Sequence, residues 1–273
     1  MTPNRITILH DSFGKHGDLA KNWGFAALVE FRGKRVLFDT GNDARVFAEN
    51  TEALGVDLRQ LDFVAISHRH GDHTSGLNHL LKVNPSVKIY TPDEIYGVFG
   101  SGLPGIFYPR CHSLPAYMQY YDGKPPETIR HGTPWPEAQF AWTKETTEVA
   151  DDVWLVSVVS DVPGTREMRE LSMALRTPKG LVIVAGCSHP GIEKILAAAR
   201  AIDERIHCIF GGLHLVLTKE PELQRIAKAL RDQWRVDLIA PGHCTGEPGF
   251  LALSETFGDR YVYAGLGESV EFP

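Results

Sequence analysis

The chain has 273 residues, 43% of them hydrophobic and 23% charged, which is enough to bury a large core in a globular protein. Its formal net charge of -6 argues against a nucleic-acid-binding protein, which would carry a basic surface. No apolar run approaches the length of a membrane span, and the four cysteines lack the spacing of a disulfide framework.

The N-terminal residues carry one basic side chain and a short apolar run, which is not the pattern of a secretory signal. The cysteines are therefore expected to be free thiols in a reducing compartment. We expect a cytoplasmic protein with a small-molecule substrate and with no nucleic-acid or membrane partner. The sequence leaves open whether the chain forms an oligomer.

The first half of the chain predicts a hairpin and then a strand–helix–strand unit. Two apolar runs at 25–31 and 35–41 are joined by a short turn that contains a glycine. A third apolar run at 61–67 predicts a strand, and the leucine spacing of 74–83 predicts a helix packed on one face. The run at 87–92 predicts the strand that follows this helix.

The second half repeats this alternation of strands and helices. The predicted strands are 153–160, 171–177, 181–186, 206–210 and 236–242, and the predicted helices are 191–203 and 221–234. Two sheet-forming halves that each end in helices predict an α/β fold with two sheets packed face to face and helices outside. We expect residues 1–273 to form a single domain.

Residues 97–138 are the exception to this pattern. The segment is dense in glycine and proline, carries several aromatic side chains, and is too long and irregular for an ordinary connection. We interpret it as a lid-like insertion, with a surface for another subunit as the alternative.

The sequence S-H-R-H-G-D-H at 67–73 is the strongest functional signal. His68 and His70 alternate as the chain leaves a predicted strand, so both imidazoles can point the same way. Asp72 and His73 lie where the next helix begins. Three imidazoles and a carboxylate within so short a segment are the ligands that zinc-like ions prefer, and they predict a metal site.

This motif resembles the H-x-H-x-D-H signature of the metallo-β-lactamase superfamily. The superfamily's upstream aspartate motif is also matched, by Phe38-Asp39-Thr40-Gly41. The resemblance implies a metallo-β-lactamase αββα sandwich of two mixed sheets, with two divalent metal ions. It also implies that Asp39 orients the metal ligands from behind.

Further metal ligands are expected at the ends of later strands. His189 and His243 each follow an apolar run and are assigned as metal ligands, with His68, His70, Asp72 and His73. His214 is given a catalytic role facing the substrate. Cys187 lies where many relatives carry a bridging aspartate; it could ligate a metal, as could Cys244, but histidines suit a hydrolytic site better.

The motifs G-C-S-H-P-G-I, G-G-L-H-L and G-H-C-T-G are similar to those of one branch of the superfamily. That branch includes an archaeal synthase that joins a dihydropterin pyrophosphate to an aminobenzene ribofuranosyl phosphate. The resemblance covers about residues 5–270 and implies two readings of the function.

The first reading is a metal-dependent hydrolase in which a metal-bridged hydroxide attacks a small anionic ester, preferably a phosphoester. Asp72 would then bind a metal and orient the water, and His214 would protonate the leaving group. Arg110 and Arg130, in the lid-like insertion, are candidates for binding the anionic group. Zinc is the expected metal, although manganese or iron also accepts these ligands.

The second reading is the pterin-type synthase itself, because the same metal site could help to expel pyrophosphate. A third reading is a diiron redox or sensing protein. It is disfavoured because His70 stands where such proteins usually carry a carboxylate, and because we expect no flavin-binding domain beside this one.

Overall fold

Two mixed β-sheets form the centre of the fold. The computed structural model describes residues 3–94, 99, 102–105, 110–130 and 134–273, and for residues 102–104, 120, 129 and 130 it describes the backbone only. The strands are β1 (Asn4–His10), β2 (Ala26–Phe31), β3 (Lys34–Phe38), β4 (Phe63–Ala65), β5 (Lys88–Pro92), β6 (Gly102–Pro104), β7 (Thr128–Arg130), β8 (Gln139–Thr143), β9 (Thr147–Ala150), β10 (Val153–Val159), β11 (Arg169–Thr177), β12 (Gly180–Ala185), β13 (Ile206–Gly212), β14 (Leu238–Gly242) and β15 (Ser269–Phe272). The helices are α1 (Ala44–Ala53), α2 (Gly71–Thr74), α3 (Leu77–Val83), α4 (Ile192–Ala199), α5 (Glu220–Asp232) and α6 (Glu247–Phe257).

The first sheet has the strand order β15-β1-β2-β3-β4-β5-β8, and the second has the order β14-β13-β12-β11-β10-β9. In the first sheet β3, β4, β5 and β8 run parallel, whereas β15, β1, β2 and β3 pair antiparallel. In the second sheet β12, β13 and β14 run parallel, and β9 to β12 pair antiparallel. Both sheets are therefore mixed, as predicted.

Three apolar clusters define the layers. One cluster fills the space between the sheets and joins side chains such as Phe38 of β3 to Leu171 of β11. A second packs the outer face of the first sheet against α1 and α3, through residues such as Phe47. The third packs the outer face of the second sheet against α4, α5 and α6, through residues such as Leu230. The molecule is thus an αββα sandwich, which confirms the predicted fold class.

The hairpin of β2 and β3 forms where the sequence predicts it. Its register pairs Phe31 with Lys34, so Arg32 and Gly33 are the two turn residues. Both have left-handed backbone angles, with φ of 49° and 79°. That conformation is the one that a two-residue hairpin turn requires, and glycine adopts it without strain.

Several predicted elements are shorter than expected, and two of them lie beside the 67–73 motif. The strand predicted at 61–67 is paired only over Phe63–Ala65, because the backbone of Ser67 leaves the sheet and donates to the Asp39 carboxylate. The helix predicted at 74–83 begins at Leu77, after the separate turn α2. The break includes Gly76, where a Cβ would lie 2.0 Å from the carbonyl oxygen of Thr40. The lack of a side chain at Gly76 therefore allows the chain between α2 and α3 to pack closely against the backbone of Thr40.

The segment 97–138 contributes the short antiparallel pair β6 and β7. Most of 110–119 is exposed. Its role as a lid or an interface stays a prediction. In the part of the chain that the structure describes, no helix is long and apolar enough to cross a membrane.

Candidate metal centre

The side chains predicted to form the site lie at the carboxyl ends of five strands. Asp39 follows β3, His68 follows β4, His189 follows β12, His214 follows β13 and His243 follows β14. Parallel strands end at the same edge of their sheet, so residues far apart in sequence come together there. The two sheets are also joined at this edge, where the N–H of Leu171 donates to the carbonyl of Ser67 across 2.8 Å.

His68 and His70 form one half of the cluster with His189. The Nε2 of His68 and the Nδ1 of His70 are 3.0 Å apart. The ring of His189 lies 4.8 Å from each of these two rings, measured between centroids. Burial lowers the pKa of His68 and of His70, so both imidazoles are held in the neutral form that binds metals.

His189 is buried in an environment that gives its ring no polar partner. Within the described residues, neither of its ring nitrogens has a hydrogen bond. Burial, followed by the neighbouring His214, lowers the pKa of His189 to about 3. A neutral imidazole with two unpartnered nitrogens is costly to bury unless an ion or another ligand takes one of them.

Asp39 holds the other half of the cluster in place. Its carboxylate accepts from the backbone N–H of Ser67 at 2.7 Å and from the Ser67 hydroxyl at 2.7 Å. The same carboxylate lies 2.7 Å from the Nδ1 of His73, which leaves Nε2 facing the site. Burial opposes the charged form of His73, but the Asp39 carboxylate raises its pKa to about 9.

Asp72, His73 and His243 converge on the side of the cluster away from His70. The Oδ2 of Asp72 is 3.7 Å from Nε2 of His73 and 3.4 Å from Nε2 of His243. Burial would raise the pKa of Asp72, but these two histidines hold it well below its usual range. The Nε1 of Trp23 donates to the same oxygen at 2.9 Å, and 45% of the Trp23 surface is exposed.

Glu170, on β11, supports the loop that carries His189. Its carboxylate accepts from three successive backbone N–H groups, those of Cys187, Ser188 and His189, at 3.1, 2.6 and 2.7 Å. Burial raises the pKa of Glu170 to about 7 against the lowering effect of these hydrogen bonds. Glu170 was not predicted from the sequence, because no motif marks a strand glutamate that accepts hydrogen bonds from the loop after the neighbouring strand.

Asp11 supports His243 in the same way. It is fully buried, and its Oδ2 accepts from the backbone N–H of His243 at 2.9 Å. Burial raises its pKa to about 7. Asp11 was not predicted from the sequence either, although its position directly after a strand and next to His10 is a usable signal.

Four residues of the site have left-handed backbone conformations that are rare outside glycine. The φ angles are 59° for Asp39, 65° for Ser188, 53° for His214 and 46° for His243. Each costs on the order of 1 kcal/mol or more and persists only where the surroundings enforce it. Their concentration at one edge of the sandwich supports a functional site there.

Cys187 lies between the two halves of the cluster. Its Sγ is 3.2 Å from Nε2 of His73. It belongs to the group with His68 and His189 and to the group with His73 and His243, whose potential ligand atoms lie within 4.8 Å of one another.

These distances fit bound metal ions. The ligand atoms of one tetrahedral zinc ion are about 3.3–3.8 Å apart, as follows from metal–ligand bonds of about 2.0–2.3 Å. The separations of 3.4 and 3.7 Å in this site lie within that range, and those of 3.0 and 3.2 Å lie slightly below it. The residues could therefore hold ions in two neighbouring positions, one near His68, His70 and His189 and one near Asp72, His73 and His243.

His214 lies at the exposed rim of the cluster. Its ring centroid is 4.1 Å from that of His189, and its side chain is exposed. A hydrogen bond with Cys244, aided by nearby negative charge, raises its pKa. The predicted substrate-facing role is compatible with this placement and stays a prediction.

The two arginines predicted to bind substrate are not brought to the cluster by any described contact. Arg110 is exposed, and its guanidinium donates to the carbonyl of Gly123. The side chain of Arg130 lies outside the described residues. Both assignments stay predictions.

The sequence and the fold match known proteins. A family model described as a beta-lactamase superfamily domain matches residues 34–138, which include Asp39 and the 67–73 motif. The 7,8-dihydropterin-6-methyl-4-(beta-D-ribofuranosyl)-aminobenzene-5'-phosphate synthase of Methanocaldococcus jannaschii is 24% identical and covers 97% of this chain and 95% of its own.

Two solved structures resemble the whole molecule. Tm1679, described as a metal-dependent hydrolase of the beta-lactamase superfamily, has a TM-score of 0.71 at 28% identity, over 98% of this chain and 99% of that one. YhfI of Bacillus subtilis, a metallo-beta-lactamase fold protein, has a TM-score of 0.63 at 13% identity, over 99% and 100%. The second likeness concerns the fold alone. Together the matches confirm the resemblance that the motifs predicted.

Proposed function

We propose that the chain is a metal-dependent hydrolase of the metallo-β-lactamase superfamily that acts on a small anionic ester, preferably a phosphoester. The observation that carries this proposal is the convergence of the six predicted ligand side chains at one sheet edge, with His189 buried and unpartnered among them. The description of Tm1679 as a metal-dependent hydrolase supports the reaction class. The 5'-phosphate in the name of the archaeal relative supports an anionic substrate.

The chain's own residues divide into those that build the site and those that face the substrate. When bound, divalent ions in such a site would acidify a water molecule and polarise the ester. Asp72 is ionised and partly exposed, so it can accept a hydrogen bond from that water. His214 is exposed beside the cluster with a raised pKa, so it can hold a proton for the leaving group. The exposed ring of Trp23 gives a flat part of the substrate a surface to contact.

The proposal includes two ions, with zinc as the expected metal, because neutral imidazoles and an ionised carboxylate suit it. We further propose a cytoplasmic location and a small-molecule substrate without nucleic-acid or membrane partners. The net charge of -6 supports the absence of a nucleic-acid partner.

The test begins with metal content. Wild-type protein purified without added metal or chelator, His189→Ala and His243→Ala would be compared by elemental analysis and then assayed on a panel of phosphomonoesters, phosphodiesters and carboxylic esters. We expect about two metals per chain in the wild type, with fewer metals and at least a hundredfold lower kcat/KM in both variants. His207→Ala is the matched control, because His207 is buried at the opposite end of β13, against Asp237. A wild type with full metal content and no turnover on the panel would refute the hydrolase.

The alternative is a synthase that condenses a dihydropterin pyrophosphate with an aminobenzene ribofuranosyl phosphate. It is favoured by the likeness to the archaeal synthase along nearly the whole of both chains. The two functions separate when the metal-loaded protein is given the pterin pyrophosphate with and without the amine. Release of pyrophosphate only when the amine is present supports the synthase, whereas release without it supports the hydrolase.

A further inference from the structure

We propose that the sulfur of Cys187 is a bridging ligand shared by both metal positions. The inference rests on the proposed function only in assuming that the site holds two ions. It adds a thiolate to a ligand set that the sequence assigned to histidine and aspartate alone.

Cys187 is placed between the two halves of the cluster. Among the described residues, three sets of three His or Cys side chains have potential ligand atoms within 4.8 Å of one another, and Cys187 belongs to each of them. The first set adds His68 and His189, the second adds His73 and His243, and the third adds His214 and Cys244. The Sγ also lies 3.2 Å from Nε2 of His73, which is close to the separation expected for two ligands of one zinc ion.

Hydrogen bonds and close packing fix the backbone of the loop that carries Cys187. Three consecutive N–H groups, starting with that of Cys187, donate to the buried Glu170 carboxylate. The preceding Gly186 allows the backbone to approach Ser67, since a Cβ there would lie 2.2 Å from the Ser67 hydroxyl oxygen. Both features fix the position of the sulfur beside the residues that Asp39 orients.

Cys208 shows what an ordinary buried cysteine looks like in this protein. It lies on β13 within the apolar cluster between the sheets, and its Sγ is 4.0 Å from the carbonyl oxygen of Ile209. Cys187 is equally buried but is surrounded by imidazoles. Apolar packing explains why Cys208 is buried, but it does not explain why imidazoles surround the buried Cys187.

Ligation requires the thiol to lose its proton. The S–H bond breaks, the proton passes to solvent, and the sulfur lone pairs form one bond to each ion. A thiolate is a soft ligand, so the site should prefer zinc, cobalt or ferrous iron to magnesium or manganese. In a Cys187→Asp variant the preference should shift towards manganese by about tenfold or more.

The decisive measurement is zinc X-ray absorption on wild-type protein loaded with two zinc ions per chain, which needs no variant that must fold. A bridging sulfur places one sulfur neighbour at about 2.3 Å around each zinc. The average would then be one sulfur per zinc, and Cys244→Ser should leave it unchanged. An average of half a sulfur per zinc would mean that Cys187 binds one ion only. An average of zero, or a sulfur signal that decreases in Cys244→Ser, would mean that Cys187 does not bridge the two ions. Any of these results overturns the proposal.

Cobalt substitution gives an independent test. The thiolate-to-cobalt charge-transfer band should grow with both the first and the second equivalent of cobalt, because both ions bond to the sulfur. Cys187→Ser should abolish the band and weaken binding of both ions at least about tenfold, whereas Cys208→Ser should change neither. A band that persists in Cys187→Ser, or that is complete after one equivalent, contradicts the bridge.

These readouts are separate from the proposed reaction. A sulfur-bridged site with no turnover of any ester would refute the hydrolase and leave the ligand assignment intact. Ester hydrolysis by a zinc site with no sulfur neighbour would support the hydrolase and refute the bridging sulfur.

Discussion

The Oδ2 of Asp39 and the Nδ1 of His73 lie 2.7 Å apart, and both side chains are fully buried. This contact fixes the orientation of the His73 ring, so that its Nε2 points to Asp72 and Cys187. The carboxylate is itself held by the backbone and hydroxyl of Ser67. A residue with no predicted bond to metal thus determines where one proposed ligand points.

The first prediction follows from this contact. Asp39→Asn should weaken binding of the ion near His73 by about 10-fold to 100-fold, the usual cost of losing such a supporting partner. Competition with a chromophoric chelator measures the affinity. Asp62→Asn is the control, since Asp62 is a surface carboxylate that pairs with Lys34. An unchanged affinity in Asp39→Asn would mean that the His73 ring needs no such support.

The pH dependence of stability in metal-free protein provides a second prediction. The pKa of His73 in the folded protein is about 9, above its ordinary value of 6.5. The pairing with Asp39 therefore stabilises the fold fully below about pH 6.5, and the stabilisation is lost as the pH rises through 9. Urea unfolding with chelator present should show stability falling between pH 7 and 9, by at most about 1.4 kcal/mol per pH unit for one proton. The fall should be smaller in Asp39→Asn, and a fall of equal size there would assign it to other groups.

Glu170→Gln should affect stability and metal binding together. The amide has one oxygen in place of two, and its NH₂ group would face a backbone N–H, so at least one buried donor loses its partner. We expect a loss of about 1–3 kcal/mol in the free energy of unfolding and weaker binding near His189. Chemical denaturation and metal titration measure the two effects. Glu145→Gln, at an exposed position, should change neither.

Gly186→Ala tests the close packing behind the site. The added Cβ would lie 2.2 Å from the Ser67 hydroxyl oxygen and 2.8 Å from Oδ2 of Asp39. Overpacking of this kind costs about 1–3 kcal/mol and should also displace Asp39 from His73. Thermal unfolding and metal content are the measurements. At Gly17 a Cβ would meet no described atom within 4 Å, so Gly17→Ala should behave as the wild type.

The sequence predicted those features that local patterns encode. Apolar runs placed the hairpin and both sheet-forming halves, and the 67–73 motif marked the turn that carries the proposed ligands, which lies as expected between β4 and α3. His189 and His243 were expected to join that turn because each follows a strand, and the structure brings both to it. These patterns can be read without a structure because each one involves residues that are close together in the sequence.

Asp39 was predicted as a supporting residue, but Glu170 and Asp11 were not, because each acts on a loop that only the pairing of strands places beside it. Glu170 lies on β11 and accepts from the loop that follows the neighbouring strand β12. Asp11 accepts from the backbone of His243, near the other end of the chain. The central position of Cys187 likewise depends on how the two sheets pack, which residue spacing does not encode.

The site lies at the edge of both sheets, so neither half of the chain contains all of its residues. The residues near His68 come from the first sheet, and those near His189 and His243 come from the second. A fragment that ends before β12 would keep the H-x-H-x-D-H turn, yet it would lack both later histidines and the loop that Glu170 organises. With metal bound as proposed, chains that end before β12 should bind it more weakly than the full chain.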